Sequence, residues 1–94
     1  MNLSLITREA VLAAMAECDH VGRDRFLEIY GFERARRYVL RHDGVHYDSK
    51  AIIGVAHRYV TGHPLTAGEF SGGRRTVGRL LTRLGFDVVT DGPR

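Results

Sequence analysis

The sequence predicts an α+β domain in which about four helices pack on a small antiparallel sheet, formed by a β-hairpin and a C-terminal strand. Three observations carry that expectation. Apolar residues recur at helical spacing in four segments, Asp43-Gly44 stands between two alternating runs, and a short strand-like stretch closes the pattern at residues 86–89. The 94 residues leave room for one domain with one modest core. We expect that domain to occupy residues 1–90, with the polar, Gly/Pro-containing residues 91–94 beginning a linker or tail.

Taken in order, the first helix is capped by Thr7 and buries Val11, Ala14, Met15 and Cys18, with Glu9 near its positive end. The pattern breaks over residues 19–22. A short second helix over residues 24–30 is expected to bury Phe26, Ile29 and Tyr30 and to stop at Gly31, with Phe32 packing back on it. The run RARRYVLRHDGVHYDS then alternates. Asp-Gly suits a type I′ turn, in which both central residues have positive φ, and this sets His42 opposite Val45, Arg41 opposite His46 and Leu40 opposite Tyr47. Tyr38, Leu40, His42, Val45 and Tyr47 then share the core face. Arg37, Val39, Arg41 and His46 share the other, expected to be cationic and solvent-facing.

The stretch VHYDSKAIIGVAHR runs from strand into helix, with Ser49 as the expected N-cap. At 100° per residue, Ile52, Val55, Ala56 and Tyr59 form the buried stripe, widened by Ile53 and Val60. Lys50, Gly54, His57 and Arg58 fall on the opposite face. A helix-interior glycine costs about 1 kcal/mol relative to alanine, which points to a close approach at Gly54, with a phosphate as one candidate. Gly62 and Pro64 end this helix, and Phe70 anchors the connector that follows. Ser71 is expected to cap a last helix burying Val77, Leu80, Leu81 and Leu84 and turning Arg75, Arg79 and Arg83 outward. Gly85 ends it, before the final strand.

The formal charge of +3 is a mild excess, but every basic residue except Lys50 is arginine. Arginine suits bidentate contacts to phosphate and guanine, although a GC-rich genome yields the same bias. Cys18 alone makes no internal disulfide and no cysteine-rich zinc site. His42 and His46 lie on opposite hairpin faces, and His57 and His63 lack a third ligand in sequence, so no metal is expected. Asp48-Ser49-Lys50 has the form that closes a PD-(D/E)xK nuclease motif. The second carboxylate that chemistry requires is missing nearby, since Asp43 belongs to the turn. Ser71-Gly72-Gly73-Arg74-Arg75 is the strongest candidate anion site, offering amide donors, close approach and two guanidinium groups together. Of the tyrosines, Tyr38, Tyr47 and Tyr59 are candidates for base stacking, with core packing favoured for Tyr47 and Tyr59.

YDSKAIIGVAH, EFSGG, TVGRLLTRLGF and the closing VV, preceded by DRFLEIYGF and RARRYVLRHDGVHYDS, together resemble the ScoMcrA-like N-terminal head domain. Such heads stand at the front of type IV, modification-dependent restriction endonucleases and related HNH nuclease proteins, followed by modules that read modified DNA. The resemblance implies a DNA-handling context and a restriction system, while the lack of a membrane-length apolar run and of a signal-peptide start leads us to expect a cytoplasmic location. It supplies no catalytic residue and no cofactor. The expected function is therefore a non-catalytic DNA-binding accessory domain that contacts phosphates of double-stranded DNA and helps sense its modification. The expected contacts are Arg37, Arg41, Ser49, Lys50, Gly54, His57, Arg58, Ser71, Gly72, Gly73, Arg74, Arg75 and Arg79. The alternative is a protein-interaction or dimerisation domain that docks onto the nuclease or another subunit.

Overall fold

The computed structural model describes residues 3–35 and 37–90. Helices α1 (Arg8–Val21) and α2 (Arg23–Tyr30) lead to the hairpin β1 (Tyr38–His42) and β2 (Val45–Asp48). Helix α3 (Ser49–Thr61) follows directly, then a π-helical turn (Arg74–Gly78), helix α4 (Arg79–Arg83) and strand β3 (Asp87–Thr90). The expected α+β class is observed. β1 is the central strand, with β2 and β3 antiparallel on either side.

Local chemistry explains most of the punctuation. The Thr7 side chain accepts from the Ala10 amide at 3.1 Å and so caps α1. Asp43 and Gly44 have φ of 51° and 78°, the double positive of a type I′ turn, and the register His42–Val45, Arg41–His46, Leu40–Tyr47 is as expected. Gly62 ends α3 in the left-handed region, its amide reaching Arg58 O at 2.8 Å.

Helix α3 is the axis of the domain. It packs chiefly against α1 and also touches α2, both hairpin strands and the π-helical turn. Surrounded in this way, its first two turns are buried except at the half-buried Lys50: Ser49 and Ala51, Ile52, Ile53, Gly54, Val55 and Ala56 all lie inside. A one-sided stripe is the pattern of a surface helix, and a central helix instead needs apolar or small residues all round. The expected stripe is therefore wrong at its far end, where Tyr59 and Val60 are 45% and 39% exposed. Ile52, Ile53, Phe26, Leu40 and Leu81 are fully buried, and each contributes about 1.5–3 kcal/mol of transfer free energy.

Other expectations need correction. Ser49 is not the N-cap: Asp48 holds that position without a side-chain capping bond, and Ser49 is the first helical residue. In α2, Leu27 is buried while Ile29 is 49% exposed, because this short helix turns its Phe26–Leu27 edge inward. Val45, expected in the core, is 46% exposed. Val39 is buried rather than solvent-facing, whereas Arg37, Arg41 and His46 of the same expected face are exposed. The last helix does not begin at Ser71. Ser71 Oγ instead accepts from the Gly73 amide at 3.3 Å, and the helical turn starts at Arg74 with Gly73 as its cap. The expected tail at residues 91–94 lies outside the described residues. No helix is long and apolar enough to cross a membrane among those described.

Candidate nucleic-acid interface

The sequence's small net charge conceals a segregation of its arginines. Arg23 pairs with Asp48, Arg25 with Glu28, Arg34 with Asp24, Arg41 with Asp87 and Arg58 with Glu17. Arg8 donates to Leu84 O and lies over the Phe86 ring. Arg37, Arg74, Arg75, Arg79 and Arg83 have no acid within ion-pairing distance among the described residues. The last four line a single groove of about 860 Å³, with Tyr38, Gly78, Thr82 and Val88. A second depression of about 310 Å³ contains Arg37 and Lys50, with Phe32, Ala67 and Gly72 on its walls. Tyr38 lines both.

The π-helical turn is what gathers the arginines. In a regular α-helix, residues five apart lie about 140° apart around the axis, so Arg74 and Arg79 would face different ways. Here the Gly78 amide bonds Gly73 O at 3.3 Å and the Arg79 amide bonds Arg74 O, the i→i+5 pattern of a π turn. With the wider turn, Arg74, Arg75 and Arg79 all line one groove. Arg83 continues the row one α-turn further on. Val77, Leu80 and Leu81 bury the opposite side of the same segment, fixing which way the guanidinium groups face.

The remaining expected contacts divide clearly. Lys50 does converge on the Phe70–Gly73 region, but its charge is used there. Its Nζ donates to Ala67 O at 2.6 Å and lies 5.2 Å from the Phe70 ring centroid. Its stem also explains Gly72, where an added Cβ would sit 2.9 Å from Lys50 Cδ. Ser49 is buried and donates to Tyr38 O at 2.9 Å, which removes it as a DNA contact. Gly54 is likewise withdrawn, because Phe32 and the Leu65 carbonyl occupy the space a phosphate was expected to fill. His57 Nδ1 donates to His63 O at 2.7 Å, and Arg58 lies between Glu17 and the Tyr59 ring. Arg41 is held by Asp87, its Nε 3.0 Å from Oδ2. Neither His57, Arg58 nor Arg41 lines either depression.

Asp48 also changes meaning. It is 4% exposed, accepts two bonds of 2.7 Å from Arg23 Nε and Nη2, and accepts a third of 2.7 Å from the Ala35 amide. Burial alone would raise its carboxyl pKa, but the Arg23 and Ala35 hydrogen bonds outweigh it and hold the group below its ordinary value. The Asp48-Ser49-Lys50 tripeptide is therefore fully engaged in structure. No cluster of three His, Cys, Asp or Glu side chains suited to a metal occurs among the described residues.

Five groove residues were outside the expected contact set: Tyr38, Gly78, Thr82, Arg83 and Val88. Arg83 follows Arg75 and Arg79 at four-residue spacing, a signal present in the sequence. Tyr38 was a candidate for base stacking by residue type, and its place beside the arginines came only with the β1 register and the position of the π turn.

Comparison with known proteins agrees with this architecture. The model of the family described as ScoMcrA-like, N-terminal head domain, matches residues 4–90. The solved structure of the type IV phosphorothioation-dependent restriction endonuclease ScoMcrA is similar to this chain with a TM-score of 0.71 and 33% identity. The similarity covers 96% of this chain and 14% of that one. No curated protein matches the chain.

Proposed function

Because this chain belongs to the ScoMcrA-like N-terminal head domain family, we propose that it is the DNA-gripping accessory module of a modification-dependent restriction nuclease, with cleavage carried out elsewhere in a longer chain. The observation that carries this reading is the row Arg74, Arg75, Arg79 and Arg83, which lines one groove with no acid in ion-pairing distance among the described residues, while Arg23, Arg25, Arg34, Arg41 and Arg58 are paired with acids. Like charges gathered without counter-charge destabilise a fold unless a polyanion supplies the partner, and guanidinium forks match phosphate oxygens bidentately. In this reading Arg37 extends the track toward the second depression.

Titration of labelled DNA at increasing salt tests it. With the four groove arginines each neutralising a phosphate, log affinity falls against log salt with a slope of about −3 to −4, at roughly −0.9 per contact. Replacing Arg75 and Arg79 with alanine reduces that slope by about 2, because exposed arginines contribute little to the fold. Absence of binding at low salt would remove the proposal. The similar nuclease is far longer than this chain, which keeps docking onto a neighbouring domain as the second reading. Under it, the same double substitution abolishes association with the rest of the nuclease and leaves DNA affinity unchanged.

A further inference from the structure

We propose that the groove accepts an unpaired DNA nucleotide, its base stacked on Tyr38 and its flanking phosphates held by the arginine row. This rests on the DNA-binding reading above and specifies the form of DNA within it. The chain's other three tyrosines are accounted for by the fold. Tyr30 and Tyr59 donate to Glu17, and Tyr47 donates to Asp19. Burial, then the bond to a carboxylate, pushes the Tyr30 and Tyr47 hydroxyls up to about 12. Tyr38 differs: its hydroxyl has no partner among the described residues, and it lines both depressions.

Its mounting is rigid. Tyr38 lies on the central strand, paired across to Thr90, and its carbonyl accepts the buried Ser49 hydroxyl. An aromatic ring on a fixed backbone beside a cationic track is the arrangement that binds single strands, where phosphates provide attraction and successive bases find π surfaces. The adjoining recess of about 310 Å³, with Phe32 and Arg37 on its walls, is at the small end of the ~300–1,000 Å³ range of ligand sites and matches one nucleoside in scale.

Energetics favour unpaired over paired DNA. In a duplex each base face is covered by its neighbours, so a base reaches Tyr38 only after extrusion, at a few kcal/mol. Stacking returns about 1–3 kcal/mol per base. The two nearly cancel for duplex DNA, whereas a single strand gains both stacking and phosphate contacts.

The experiment compares three labelled ligands: a short single-stranded oligonucleotide, the same strand with central abasic nucleotides and unchanged phosphates, and the matching duplex. The intact strand is expected to bind about 5- to 150-fold more tightly than the abasic strand. Tyr38→Phe should keep this preference, and Tyr38→Ala should bind both strands as the wild type binds the abasic one, with melting curves confirming that each variant folds. Equal affinity of the wild type for intact and abasic strands, or a preference that survives Tyr38→Ala, overturns this inference and leaves the phosphate grip standing. Failure of all three ligands to bind at low salt overturns both.

Discussion

Replacing Asp48 with alanine should destabilise the domain by about 2–4 kcal/mol, a large share of the roughly 5–15 kcal/mol that holds a domain of this size. The carboxylate is buried, and its removal takes the acceptor from three N–H donors at once. The Ala35 amide loses its 2.7 Å acceptor, and Arg23 loses a bidentate partner. The Arg23 side chain is 43% exposed, so water rehydrates much of it, and the estimate stays below the ~3–5 kcal/mol of a fully enclosed pair. In a chain this short, such a loss lowers the melting temperature by roughly 10–25 °C. Asp48→Asn retains an acceptor for Ala35 and loses the charge, so it should fall between the two. Thermal and urea unfolding of the three proteins provide the measurement; an Asp48→Ala protein as stable as the parent would refute the role assigned to this carboxylate.

The same group gives a pH signature. Its folded pKa lies below the unfolded value near 3.8. The stability it adds is therefore complete above that value and is lost as pH falls through the folded one. Urea unfolding carried from pH 6 down to pH 3 should show a steeper decline in the parent than in Asp48→Asn. Identical slopes would mean that another carboxylate governs the acid limb.

How far the sequence revealed this molecule depended on whether the controlling interaction was local. Thr7, Asp43-Gly44, Gly31 and Gly62 act within a few residues, through capping and backbone conformation, and each element boundary they set was readable in advance. The composition of α3 was readable too, but its place at the centre was not. Periodicity assigns one buried face, and only the packing of α1, the sheet and residues 65–77 around it explains why Gly54 lies inside. The candidate interface divides in the same way. Arg74, Arg75 and Arg79 were evident from charge and spacing. That Arg41 and Arg58 are neutralised required knowing where Asp87 and Glu17 come to rest, 46 and 41 residues away in sequence. Asp48 agrees with the rejection of the nuclease motif: a tripeptide with nuclease chemistry in its letters is committed to holding the segment before β1.

Gly54→Ala offers the sharpest test of whether that residue serves packing or binding. A Cβ at this position would sit 2.5 Å from Phe32 Cζ and 3.0 Å from the Leu65 carbonyl oxygen. The carbonyl cannot retreat freely, since the Leu65 amide is bonded to Gly54 O at 3.0 Å, and the Phe32 ring is buried edge-on against Phe70. Helix propensity favours alanine by about 1 kcal/mol, while overpacking a closed core costs about 1–3 kcal/mol. The clash prevails, and a net loss of about 1–2 kcal/mol is expected, rising past that for Gly54→Val. Gly73→Ala is the internal control: its φ is −75° and the nearest atom to an added Cβ is Ser71 Oγ at 3.5 Å, so stability should change little. If Gly54 instead admitted a phosphate, Gly54→Ala would fold with unchanged or improved stability and bind DNA poorly. The packing reading requires the reverse, a lower melting temperature with the salt slope of DNA binding intact, because Arg74, Arg75, Arg79 and Arg83 do not touch this contact.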